Sequence, residues 1–207
     1  MATIGNAPVF PTESVLPGNL QVTGNATISG TTNSVGALTE NSNEVLNVTN
    51  TTHFTFDQWR LTTNAVGGAT QTYILVNWER NDNASFGYIG TGMTHSSGTF
   101  TFPSTGIYKV VAVGLVSASN GDNQCGLYQQ FTTDNSSYTI TSYGYTGENA
   151  TNYFSGAAYT SCLYDVTDVS LCKIQFFAYS LNSNTNVLVG NTGYNGTYIT
   201  FERVGDT

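Results

Sequence analysis

The sequence predicts an all-β chain, a two-sheet sandwich or jelly roll preceded by a short glycine-punctuated β stalk. Three observations predict it. Beyond about residue 50, apolar and polar residues alternate in runs closed by Gly, Asn, Asp, Ser or Pro, as strands with one buried face require. Charged residues make up only 9% of the chain, against roughly a quarter in an average soluble protein. In their place stand Thr, Asn, Ser and Gly with 13 Tyr and 11 Phe, a composition that favours strands and is poor in helix formers. Finally, Gly18, Gly24, Gly30 and Gly36 recur six apart, an internal repeat ahead of the strand-rich region.

The first segment is 1–17. It carries Pro8, Pro11 and Pro17, no cation, and the apolar Val9, Phe10, Val15 and Leu16. It is too short to fold alone, and its apolar residues predict an attachment segment that docks onto a partner. An unstructured leader is the alternative. The second segment, 18–50, contains the hexads GNLQVT, GNATIS, GTTNSV and GALTEN. Leu20 with Val22, and Ala26 with Ile28, sit at alternate positions, so each hexad reads as a short strand ended by residues that tolerate positive φ. Such a stack cannot bury its apolar side unaided, and the simplest cover is another copy of the chain. A plain glycine-rich linker is the alternative.

The third segment, 51–207, holds the longer strands. They are expected at 52–61, 72–78, 86–89, 98–102, 106–117, 126–132, 138–145, 151–164, 171–181 and 198–203. Turn residues separate them, among them Gly67-Gly68, Asn81-Asp82-Asn83, Pro103 to Gly106, Asn120 to Asn123 and Asn182 to Asn184. Many strands without a helix indicate two packed sheets.

Charge excludes several functions. Arg60, Arg80, Lys109, Lys173 and Arg203 face 13 acids for a net −8, which repels phosphate backbones and anionic lipid. No run of about 18 apolar residues exists to cross a bilayer as a helix. The opening Met1-Ala2-Thr3-Ile4-Gly5-Asn6 lacks the basic start and apolar stretch of a secretion signal. Three cysteines, an odd number without a CxxC pair, fit a reducing compartment. Cys162 and Cys172 flank Asp165-Val166-Thr167-Asp168 and could face each other across a hairpin, as a disulfide or as buried thiols.

Motifs for chemistry are scarce. His53 and His95 have no ligand-spaced neighbours, so no metal is expected, and no nucleophile elbow, phosphate loop or dinucleotide fingerprint occurs. No catalytic residue and no cofactor are expected. Glu79, Asp165 and Asp168 are the acids nearest aromatic runs, the only candidates for glycoside hydrolysis. Asn81-Asp82-Asn83 and Gly121-Asp122-Asn123 match no calcium-loop pattern and read as turns. The Asn-x-Ser/Thr triplets at Asn25, Asn47, Asn50, Asn83, Asn135, Asn149 and Asn195 read as unoccupied products of composition. From Ser136 to Gly147 the chain has the texture of an adaptable binding surface. Its Tyr138, Tyr143 and Tyr145 either stack on a sugar or protein, or line a subunit interface or the sandwich interior.

The run Gly98 to Val110, with Phe100, Phe102, Pro103, Gly106 and Tyr108, resembles the signature of C1q/TNF-like jelly rolls. There a Phe-rich strand passes through a Pro turn into Gly-x-Tyr. Asp165 to Val169 and Thr197 to Phe201 occupy the places of that family's last strands, while Met93 stands where an aromatic is usual and no collagen-like run is present. Other strings resemble virion proteins of tailed marine phages. They are Asp57-Gln58-Trp59-Arg60-Leu61-Thr62, Asn77-Trp78-Glu79-Arg80, Gly90-Thr91-Gly92-Met93-Thr94, Thr132 to Tyr138, and Arg203-Val204-Gly205-Asp206-Thr207. The likeness covers about 54–207, and glycine-punctuated hexads are common in phage fibre shafts.

These resemblances imply a homotrimer with a C1q/TNF-like knob (51–207), a short trimeric stalk (18–50) and an N-terminal segment held by other virion proteins of capsid or tail. The implied role is a non-enzymatic capsid decoration or fibre, made in the host cytoplasm, displayed on the virion surface and adhering to a host glycan or protein. A lectin-like carbohydrate-binding module is the alternative, and a glycan-degrading enzyme a further one. A secreted TNF-type ligand fits less well, because no secretion segment is seen.

Overall fold

The computed structural model describes residues 54–67, 72–118, 124–147, 153–181 and 187–207, with only the backbone of four short strands nearer the N-terminus. The chain divides into two units, Met1–Asn47 and Val48–Thr207. In the first, β1 (Ala2–Thr3) pairs in parallel with β2 (Leu20–Gln21), Ala2 opposite Leu20. β3 (Thr39–Glu40) and β4 (Asn43–Glu44) pair antiparallel. Val9, Phe10, Val15, Leu16, Val22, Ala26 and Ile28 lie outside the described residues, as does His53, and Leu20 is described by its backbone alone.

The second unit is the two-sheet sandwich that the alternation predicts, antiparallel throughout and without a helix among the described residues. The first sheet is built on the long strand β11 (Gly106–Ala118). On one side β11 pairs with β17 (Tyr198–Gly205), followed by β5 (Phe56–Leu61) and β8 (Trp78–Arg80). The far end of that side pairs with β16 (Val187–Leu188) and then β6 (Ala65–Val66). On its other side β11 pairs along its whole length with β14 (Phe154–Val166), which forms the edge.

The second sheet runs β9 (Thr94–Ser96), β10 (Thr99–Thr101), β15 (Lys173–Tyr179), β12 (Cys125–Thr132) and β13 (Thr139–Thr146). β7 (Thr72–Ile74) extends it at the end of β15.

Burial alternates strictly along β11 and β15, so each presents one row of side chains to the core. At the centre stands Phe100, fully buried. Its ring meets Trp59 edge-on at 5.3 Å, Phe176 at 5.6 Å and Phe201 at 5.2 Å, drawing strands of both sheets onto one aromatic cluster.

At one edge β13 and β14 approach so closely that a Cβ on Gly144 would lie 2.0 Å from the Tyr159 carbonyl oxygen. Only glycine fits there. Above this contact the Tyr164 hydroxyl donates to Gln129 Oε1 at 2.8 Å and meets Thr141 Oγ1 at 2.5 Å, while burial raises the Tyr164 pKa.

Several expected elements differ. The 72–78 strand is two strands, because the chain leaves the second sheet at Leu75 and enters the first at Trp78. Residues 86–89 form no strand, only a single bridge from Ile89 to Phe56. Thr94–Ser96, Ala65–Val66 and Val187–Leu188 are further strands, of two or three residues each, too short to show periodicity. The alternation at Phe54-x-Phe56 is real, yet both rings point outward while Thr55 and Asp57 are buried.

Cys162 and Cys172 do not face each other. Cys162 pairs opposite Val110 in the first sheet, whereas Cys172 leads into β15 of the second. The segment between them crosses from sheet to sheet instead of turning a hairpin, and no disulfide joins them.

Candidate functional site

The motif residues of 98–110 are framework. Phe102 packs against Tyr108 at 4.8 Å, and the Tyr108 hydroxyl donates to the Ser104 carbonyl at 3.0 Å, closing the turn that Pro103 opens. Gly106 ends that turn at φ +139°, where a Cβ would lie 2.4 Å from Arg203 Nε. Met93 fills the core where the family pattern has an aromatic. These side chains set the strands and leave nothing for a ligand.

The acids form no catalytic pair. Glu79 accepts from Arg60 Nε at 2.7 Å, so its charge is already matched by a buried cation. Asp165 points outward from β14 opposite Ile107. β8 and β14 are separated by β5, β17 and β11, four strand spacings or roughly 19 Å. Glycosidase carboxylates stand about 5 to 9.5 Å apart.

Asp168 accepts from Ser170 N at 2.7 Å and Oγ at 2.6 Å, bonds that lower its pKa. Asp134 similarly accepts from Ser137 N, Thr132 Oγ1 and Ser136 N, and its pKa falls for that reason. Both are turn-forming carboxylates. His95 Nε2 accepts from Gly98 N at 3.0 Å beside Trp59 and Phe100, and desolvation lowers its pKa. Among the described residues, no three His, Cys, Asp or Glu side chains converge on a metal position.

What remains is the two outward faces. On the first sheet, β11 turns Val111, Val113 and Leu115 away from the core, and register places Tyr198 and Tyr159 on either side of Val113. On the edge strand, Tyr159 is 58% and Leu163 62% exposed. Lys109 and Glu202 are opposed across β11 and β17, so their charges offset each other. The face continues into a groove of about 450 Å³ lined by Phe54, Phe56, Ile89 and Val204. None of these outward residues belonged to the expected site. The alternation Ala157-Tyr159-Ser161-Leu163 was legible, but which half of it faced outward was not.

The second sheet has the other face. Tyr143 and Tyr145 lie along β13, 64% and 53% exposed, with parallel rings 6.1 Å apart. Tyr138 brings its hydroxyl to Thr99 on the outward side of β10. All three tyrosines singled out in the sequence therefore share this sheet, joined by residues that were not singled out. Tyr128 stacks on Phe177 at 5.0 Å and 5°, with Tyr179 edge-on at 6.3 Å.

No family model matches the sequence, and no curated protein matches it either. Solved structures do match in shape. Eiger TNF from S. frugiperda superposes with a TM-score of 0.55 at 12% identity, over 74% of this chain and 94% of its own. Murine APRIL at pH 5.0 superposes with a TM-score of 0.52 at 10% identity, over 73% of this chain and 99% of its own. The fold is a TNF-like jelly roll.

At such identities the likeness is one of backbone path alone. In this TNF-like jelly roll β14 and β13 supply one edge, β11 and β17 the broad outward face of the first sheet, and β12, β13 and β15 that of the second.

Proposed function

We propose that this chain is a non-enzymatic, homotrimeric surface projection of a tailed-phage virion. In this reading 1–17 attaches to a capsid or tail protein, 18–50 forms a short threefold stalk, and 51–207 is the outward knob that adheres to the host. The observation that carries it is the apolar outward face of the first sheet. A free edge bearing Tyr159 and Leu163 adjoins a surface of Val111, Val113, Leu115 and Tyr198, on which Lys109 stands opposite Glu202 and Arg60, beyond Tyr198, is paired with Glu79 and Asp82. One copy's edge fits against the next copy's face, a head-to-tail contact that closes into a ring of three. Obligate interfaces of this kind are rich in aliphatic and aromatic side chains and poor in unpaired charge.

The virion setting is supported by the strings shared in character with marine phage proteins and by the glycine hexads of the stalk segment. The absence of an enzymatic role is supported by the occupation of Glu79 by Arg60 and of Asp168 by its own turn. Two experiments test the reading. Sedimentation of the purified chain is expected to give a trimer, and a stable monomer at micromolar concentration contradicts the assembly. Electron microscopy with labelled antibody is expected to decorate the particle surface, and label on no virion structure ends the viral role.

A further inference from the structure

The outward face of the second sheet carries a feature that neither trimerisation nor attachment uses. Strand register sets its side chains in rows across β13, β12, β15 and β7. Tyr143, Tyr128, Phe177 and Ile74 form one row. Tyr145, Gly126, Tyr179 and Thr72 form the next. Because Gly126 has no side chain, the second row dips between two tyrosines, with Tyr128 as its buried neighbour. A row of amides adjoins the rings: Gln130 opposite Gln175, whose Nε2 donates to Thr99 Oγ1 at 2.9 Å. Lys173 is the only charged side chain among the described outward positions of this sheet, and its ammonium donates to the Val169 carbonyl.

We infer that this face is a binding site for a neutral oligosaccharide. A pyranose ring has an apolar C–H face and a rim of hydroxyls. Ring faces take the first, while amides and phenols take the second as donors and acceptors. Tyrosine presents this amphipathic surface with little conformational entropy to lose. The charge match decides the class of sugar. An anionic glycan meets a chain of net −8 with Lys173 as the single cation among the described outward positions of this sheet, and a cationic ligand finds no carboxylate at those positions. An uncharged polyol is the complementary ligand.

This deepens the adhesive part of the reading above and rests on it only for its biological setting. Binding is measured on the purified full chain, so a failure to find the protein on particles leaves it standing, and the reverse holds too.

The test is an array of neutral hexose and N-acetylhexosamine oligosaccharides, with sulfated and uronate-containing oligosaccharides as the charged arm. The chain is expected to bind a neutral class and to bind the charged arm less. Tyr143→Ala and Tyr145→Ala are each expected to weaken binding about tenfold, the equivalent of about 1.4 kcal/mol. Tyr143→Phe, which keeps the ring, is expected to retain most of it. Tyr194→Ala, on an exposed loop elsewhere, is expected to change nothing. Melting curves identify any variant that fails to fold, and Gln130→Ala, which spares every ring, supplies an independent loss. Preference for charged glycans, binding that survives the double Tyr143→Ala/Tyr145→Ala variant, or no binding to any neutral glycan overturns the site.

Discussion

Arg80 lies across the buried carboxylate of Asp57, Nε to Oδ1 at 2.8 Å and Nη2 to Oδ2 at 3.0 Å. The same carboxylate accepts from Trp59 Nε1 at 2.9 Å and Met93 N at 2.7 Å. The guanidinium sits over the Trp59 ring at 4.9 Å and the Tyr88 ring at 5.0 Å. One fork of charge thus ties β5, β8 and the 88–93 loop together, which a lysine could not do in that plane.

Arg80→Met is therefore expected to destabilise the knob by about 3 kcal/mol, because it leaves a buried carboxylate without its cation. Chemical denaturation measures it. The double variant Asp57→Asn/Arg80→Met should lose less than the sum of the singles, and strict additivity would show that the pair is not coupled.

Gly144→Ala pushes a methyl toward the Tyr159 carbonyl, with backbone on both sides and no flexible side chain to move. Its expected cost is about 2 kcal/mol or more, typical of overpacking. Gly87→Ala, with no atom within 4 Å of the new carbon, is the control and should stay within about 0.5 kcal/mol of the parent. Equal melting temperatures for the two would remove the close β13–β14 approach.

Tyr159→Glu and Leu163→Glu put charge on the free edge without touching the core. In the proposed assembly each converts trimer to monomer at micromolar concentration in sedimentation. The melting temperature of the parent should rise with protein concentration and that of the variants should not.

His95 gives a pH signature. Desolvation holds its folded pKa below the ordinary value of 6.5, so the unfolded chain binds the proton more readily. Its contribution is fully present above the unfolded pKa and is lost as pH falls through the folded one. Stability should decline on acidification below about pH 6.5, and His95→Gln should flatten that decline. An NMR titration placing the His95 pKa above the ordinary value reverses the sign and refutes the expectation.

The amino-acid order alone settled that this chain is strands and not helices. Alternation in 106–117 and 198–203 needs only a local count, and Phe100, Phe102 and Tyr108 were readable as core because the Pro103–Gly106 turn fixes their facing. Alternation cannot say which half of a strand looks inward: Phe54 and Phe56 look outward while the polar Thr55 and Asp57 between and beside them are buried. Nor can it assign a strand to a sheet. Cys162 and Cys172 look like hairpin partners until β14 and β15 are found in different layers, and Glu79 looks free until β8 pairs beside Arg60. Tyr128, Phe177 and Tyr179 joined Tyr143 and Tyr145 for the same reason, since cross-strand register depends on contacts far apart in sequence. Local pattern follows from backbone geometry, one residue after the next. Which faces meet, and which stay open to a partner, follows from packing distant segments against one another, and that the tertiary structure alone decided.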